Sequence, residues 1–278
     1  NGLFDAHSEL SGSIEAVRGP GSALYGSNAV HGLINVLTPA PTETLSVFAD
    51  ASWGSFDRGR FRGSVSGTAD GVGVWGGVTL MHEGGYRDDA GLDQQKATLR
   101  LDHDGGATRV TAILAANNLN QETAGFLIGT DAYDDSARAR TNPNPEAFRD
   151  ARSVRAQVRV DFDVAADTTV AVTPYVRWNE MDFLMHFLPS KALEKNGHKS
   201  VGILSGVYRT FADGSELVIG ADGEVTDGYL SEVQSLPSFG SFPQGVHYNF
   251  DVVSLAGALY GHGEWQATDR LRVIGGIR

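Results

Sequence analysis

The sequence predicts an all-β fold, a transmembrane antiparallel β-barrel fragment of about eleven strands entered from a short compact segment. Three observations carry this. From Glu43 onward apolar and polar residues alternate with period two, the mark of strands with one apolar and one polar face. The connections between the alternating stretches are short and long by turns. Residues 13–39 read unlike anything that follows them.

In that first segment, two apolar stretches, 14–17 and 33–37, flank a Gly-rich turn and read as strands. Gly19, Pro20 and Gly21 force the turn, since proline fixes φ and glycine tolerates positive φ. Ser22 is placed to cap a helical turn through Tyr25 and Gly26. Residues 33–37 are apolar on both faces except at Asn35, which predicts a strand buried on both sides. The glycines at 19, 21 and 26 miss the G-x-G-x-x-G spacing and no P-loop Lys follows, so the turn is not read as a phosphate cradle.

The strands follow in order. Leu45, Val47, Ala49, Ala51 and Trp53 share one face, opposed by Thr44, Ser46, Asp50 and Ser52. Phe61, Gly63, Val65, Gly67 and Ala69 oppose Arg60, Arg62, Ser64, Ser66 and Thr68. Val154, Ala156, Val158, Val160 and Phe162 oppose Arg155, Gln157, Arg159 and Asp161. Leu217, Ile219, Ala221 and Val225 oppose Glu216, Asp222 and Glu224, and Leu271, Val273, Gly275 and Ile277 close the series. A tilted strand crosses a bilayer in roughly 9–11 residues, which these stretches supply. Two stretches are irregular. Pro174 cannot donate to a ladder and predicts a bulge or break, and residues 199–211 are apolar on both faces and leave their register open.

Alternation alone would also fit a soluble sandwich; the connections decide. Short polar turns fall near 69–71, 104–106, 165–167, 212–214 and 267–269. Longer connections fall near 83–93, 119–151, 183–197 and 227–247, after a short first one at 54–57. Short turns at one end and long loops at the other are the pattern of an outer-membrane barrel. Arg60, Arg62, Lys96, Arg100, Arg109, Arg155, Arg159 and Arg177 lie on the polar faces, and each would cost roughly 2–4 kcal/mol against mid-membrane lipid, so the polar faces line the lumen. There these cations either attract an anionic chelate or pair with acids such as Asp50, Asp102 and Asp161. Trp53, Trp178 and Trp265 fall near strand ends, where interfacial girdles sit, though core packing suits any one of them too.

The composition narrows the function. No apolar run reaches the 18 or so residues of a membrane helix, so any crossing is by strands. With 22 basic against 34 acidic residues, nucleic acid is not the expected partner. There is no Cys, no G-x-S-x-G Ser and no H-E-x-x-H, and His82-Glu83 and His262-Gly263-Glu264 lack zinc-site spacing. No catalytic residue, metal site or cofactor is expected. Asn1 opens without a signal-peptide pattern and Arg278 stops inside an alternating stretch, so the sequence reads as an internal piece of a longer chain.

The motif residues are Ile14, Glu15, Arg18, Gly19 and Pro20, then Leu24, Tyr25 and Gly26, then Gly32 to Thr38 with Asn35 at their centre. This run resembles the closing segment of the plug domain of TonB-dependent outer-membrane receptors, which shows Ile-Glu-x-x-Arg-Gly-Pro, Leu-Tyr-Gly and Gly-x-Ile-Asn-Ile-Ile-Thr steps. His31 stands where the family more often has glycine, and Leu33 where it has valine or isoleucine. The resemblance implies that 1–40 is the C-terminal part of an α/β plug and 41–278 the N-terminal part of a barrel of roughly 22 strands. It further implies TonB-energised import of a siderophore, cobalamin or other scarce nutrient across the outer membrane of a Gram-negative bacterium. The implied partners are the TonB energy-coupling complex, through a segment missing from this chain, a small chelate or nutrient, and outer-membrane lipid. The alternative is a plug-less passive porin or another structural outer-membrane barrel. In the family, plug arginines like Arg18 are thought to pair with barrel glutamates.

Ligand contact is expected at the plug apex, Tyr25 and Asn28, and in the long connections. Phe126, Tyr133 and Phe148 offer aromatic surface in the longest of them, with Phe183 and Phe187 in the next and Tyr229, Phe239 and Phe242 in the last. The same aromatics equally suit packing of the loops against one another or the rim.

Overall fold

The computed structural model describes residues 6–19, 21–26, 29 and 31–278. Strands β1 (Ser13–Arg18) and β2 (Gly32–Leu37) form an antiparallel pair, joined through the short helix α1 (Ser22–Tyr25). The remaining strands form one eleven-stranded antiparallel sheet in sequence order. They are β3 (Ser46–Gly54), β4 (Arg58–Ala69), β5 (Val72–Glu83), β6 (Leu92–Asp104), β7 (Thr108–Glu122), β8 (Phe148–Ala165), β9 (Thr168–Leu184), β10 (Leu193–Thr210), β11 (Glu216–Gln234), β12 (Gly245–Thr268) and β13 (Leu271–Ile277). The sheet is a meander, and its edge strands β3 and β13 do not meet.

The register turns the sequence alternation into two continuous faces. One row of directly paired residues runs Val47, Val65, Gly76, Leu99, Leu114, Ala156, Val176, Val201, Val225, Leu255 across β3 to β12. Every member is apolar, and the larger ones are exposed, Leu255 by 82%. On the opposite face Ser66, Thr79, Gln94, Lys96, Asn117 and Ser200 are buried. Polar inside and apolar outside is the inverse of a water-soluble core and suits a wall with hydrocarbon on its outer side. Six positions along the strands from the apolar row, the outer face becomes polar in the row His82, Asp93, Asn120, Asp150, Asp182, Lys195. Trp53 and Trp265 point to the same outer side and are largely exposed. Trp75, on the inner face, is buried.

Turn chemistry fixes the short end. Asp70 and Gly71, both at positive φ (50° and 75°), make the two-residue β4–β5 turn, a conformation that matches strand twist and favours Asp-Gly. The other short connections are 105–107, 166–167, 211–215 and 269–270, and the opposite end carries 55–57, 84–91, 123–147, 185–192 and 235–244. The expected sorting of loops is therefore present, with different boundaries. β8, β10 and β11 have 18, 18 and 19 residues and β12 has 24, well beyond a bilayer crossing, so the hairpins rise past the membrane and shorten the loops.

Three local expectations are answered. β9 continues through Pro174 and pairs there with Ile203 of β10. On the β8 side the ladder is interrupted between Gln157↔Tyr175 and Val160↔Val172, the break expected where a donor is missing. The register of 199–211 resolves with Val201, Ile203 and Val207 outward and Leu204 and Tyr208 inward. The third is a correction: β2 is not buried on both sides, because Ile34 is 74% exposed. The sheet it belongs to has two strands among the described residues, and Ile14 on the same face is exposed as well.

Candidate functional site

The β1–α1–β2 segment is shaped by its glycines. Gly32 has φ +144°, and a Cβ there would run into the carbonyl oxygen of Val17. Gly19 and Gly26 also have positive φ, and backbone bonds from Gly19 to His31 (3.2 Å), Gly21 to Ala29 (2.9 Å) and Tyr25 to Gly21 (2.9 Å) close the turn. Across the pair, Asn35 Nδ2 donates to Glu15 at 3.3 Å. Arg18 is exposed and makes no ion pair with any described residue. Pro20 and Asn28 lie outside the described residues.

This segment is fastened to the inner face of the sheet. Lys96 Nζ donates to Glu9 (2.8 Å) and to the Ala6 carbonyl (2.9 Å), and Arg62 donates to the Glu9 carbonyl (3.2 Å). His7 bonds Thr98 at 2.6 Å. On the far side of β2, Arg100 donates to the Thr38 carbonyl at 2.7 Å, and the Thr42 amide donates to Ser66 at 2.8 Å. Gly276 of β13 lies against Ala23 of α1. The basic residues of the wall thus hold the segment by backbone carbonyls and one carboxylate. Glu9 carried no motif, so its partnership with Lys96, 87 positions away, is visible only in three dimensions.

Most other wall cations are neutralised in the wall itself. Arg62 pairs with Asp50 (3.0 Å), Arg100 with Asp102 (2.8 Å), Arg159 with Asp161 (2.7 Å), and Arg109 with Asp163 (2.5 Å). Arg177 is joined to Glu224, which Tyr175 also donates to. Pairing with inner-face acids, rather than a free basic lumen, is the prevailing arrangement among the described residues.

At the long-loop end the inner faces form a mouth. Phe183 and Phe187 pack with ring centroids 6.0 Å apart, His186 stands edge-on to Phe187 at 5.8 Å, and the Arg149 guanidinium lies over Phe183 at 4.6 Å. The longest loop is ordered by α2 (Ser136–Arg140), whose start is capped by Asp135 accepting from the amides of Ala137 and Arg138. Arg87 stitches this loop to the 84–91 connection through the carbonyls of Thr141 and Gly125. Lys191 pairs with Glu146 at 2.5 Å, and that bond holds the Glu146 carboxyl below its ordinary value. The last loop hangs on Gln234, 1% exposed, whose amide donates to the carbonyls of Leu236, Pro237 and Phe242. Beside it, His247 meets Glu232 Oε1 (2.9 Å) and the Pro243 carbonyl (2.7 Å). Both partners are acceptors, so both ring nitrogens must donate, and the bonds to Glu232 and then Pro243 raise the imidazole above its ordinary value.

Of the aromatic candidates, the structure brings together Phe183 and Phe187. Phe126 and Tyr133 stand exposed on the longest loop, and Phe239 and Phe242 form a small bridge on the last one. Tyr25 is exposed on α1. Phe148, Phe183 and Tyr229 are corrections to the loop assignment: they belong to strands β8, β9 and β11, and by register Phe148 and Tyr229 point to the outer face, away from the mouth, while Phe183 points inward. The sequence-based loops ran too far because strand ends beyond the bilayer no longer need an apolar side.

A polar inner face, an apolar outer face and a segment fastened to the inner face are the arrangement of a transmembrane β-barrel wall, here an open sheet of eleven strands. The chain has the fold of outer-membrane receptor barrels. It superposes on the ferripyoverdine receptor of the outer membrane of Pseudomonas aeruginosa, bound to ferripyoverdine, with TM-score 0.78 and 14% identity over 96% of this chain and 41% of that one. For the open form of the ferric-catecholate import receptor Fiu from E. coli K12 the values are 0.72, 17%, 95% and 48%. For the unliganded ferric citrate transporter FecA they are 0.69, 16%, 95% and 48%. The chain therefore spans less than half the length of each. No protein-family model and no curated protein matches the sequence.

Proposed function

We propose that this chain is the plug-end and first barrel portion of an outer-membrane receptor that imports a small chelate or nutrient, driven by the TonB energy-coupling complex. The observation that carries this reading is the segment held against the polar inner face by Lys96, Arg62 and Arg100. A passive porin keeps its lumen open, so a fastened interior segment favours gated import. Residues 1–40 are read as plug and 41–278 as barrel wall, with the Arg18, Gly19, Pro20, Tyr25, Gly26 and Asn35 motif at their junction. The similar solved structures are named for ferripyoverdine, ferric catecholate and ferric citrate, which supports a ferric chelate as passenger. Phe183, Phe187 and Arg149 are the leading contacts for it at the mouth. The test is uptake of labelled ferric chelates by cells producing the receptor, with and without TonB. Accumulation that needs both the receptor and TonB is the expected result; entry of small solutes regardless of TonB would favour the porin reading.

A further inference from the structure

Between β2 and the wall runs a crevice whose broader part has a volume of about 520 Å³ and is lined by Ser13, Asn35, Thr38, Arg100, Arg155 and Gln157 among others. Its narrow continuation, of about 60 Å³, is closed by Glu9, Lys96 and Trp75, and Arg155 lines both parts. Three cations approach this crevice. Lys96 is satisfied by Glu9, and Arg100 by Asp102 and the Thr38 carbonyl. Arg155 makes no hydrogen bond or ion pair with any described residue. Its direct register partner on β9 is a second arginine, Arg177, on the same inner face. Like charges opposed across an antiparallel pair repel, and only Arg177 has a carboxylate, Glu224.

A guanidinium without a counter-ion among the described residues, facing a crevice that Gln157 and Asn35 also line, is built to receive an oxyanion in bidentate fashion. We propose that Arg155, supported by Gln157 and Asn35, forms an anion subsite in the seam between plug and wall that takes a carboxylate or phosphate group. Its role rests on the import reading: an anionic passenger leaving the mouth is held at Arg155 as the β2 side of the seam loosens. Its existence does not depend on import, because equilibrium binding reads it directly.

The experiment measures binding of radiolabelled citrate and, separately, inorganic phosphate to the detergent-solubilised protein by equilibrium dialysis, with folding checked by heat-modifiable gel mobility. Saturable binding of either anion is expected, weakened at least about tenfold in Arg155→Gln, less in Arg155→Lys, and unchanged in Lys195→Gln on the outer rim. Preference for citrate would identify a carboxylate site and preference for phosphate a phosphate site. No saturable binding to the folded wild-type protein, or equal affinity in folded Arg155→Gln, would overturn the subsite and leave the uptake experiment untouched.

Discussion

Lys96 is 8% exposed on a wall that faces the plug segment, and the charge that answers it comes from Glu9. Glu9→Gln keeps the shape and removes that charge, which should weaken docking of residues 6–11 by about 2 kcal/mol. Faster amide exchange in 6–11 with β4–β6 unchanged would bear this out, and unaltered protection would count against the pair. Gln234 is the second such residue. Gln234→Leu leaves three loop carbonyls without their donor, and exchange in 235–244 should rise while the β11–β12 ladder stays protected. His247 adds a pH dependence to the same loop. Because its folded-state value is raised, its contribution is complete below the ordinary imidazole value and is lost as pH climbs through the raised one. A spin label on Ser241→Cys should therefore become more mobile as pH rises above the ordinary imidazole value, and His247→Gln should abolish the trend. A mobility independent of pH in the unaltered background would refute the imidazolium assignment. Lys96 was legible in the sequence as an inward cation, but Glu9, Gln234 and His247 were not, since each acts through a partner chosen by folding and none sits in a motif.

At the scale of elements, the faces were legible because a strand's side-chain period is strictly two, and Val154 to Phe162 reads outward in the structure as it alternates in the sequence. Strand ends were not legible. Beyond the bilayer both faces meet water, alternation lapses, and Phe148 and Tyr229 looked like loop residues. The exposure of Ile34 has a similar cause: an apolar run reports that a strand can be buried, not how many neighbours it receives. The turns follow their chemistry closely, so Gly71→Val, at φ 75°, should cost about 1–2 kcal/mol in the β4–β5 hairpin, measured by urea unfolding in detergent. The sorting of loops is tested by topology. With no native Cys, Tyr133→Cys should react with a membrane-impermeant thiol reagent on intact cells and Gly105→Cys should not. Equal labelling at both, with the outer membrane intact, would break the assignment of the two ends.

For the whole molecule, the central claim is that apolar residues face lipid and polar residues face a plugged lumen. Buried Lys96 and Ser200 on one side, and exposed Val201 and Leu255 on the other, make sense only if the solvent outside is hydrocarbon. The motif and the alternation together announced this architecture, while the contacts that fasten the first segment stayed hidden because they join residues far apart in sequence, such as Glu9 and Lys96. The most direct measurement is the environment of two adjacent spin labels in the protein reconstituted in bilayers, on Leu255→Cys and Ser254→Cys. The Leu255 label should collide with dissolved oxygen, which partitions into lipid, and the Ser254 label should not. Equal oxygen accessibility at the two sites, or the reverse order, would mean that this sheet is not the wall of a transmembrane barrel.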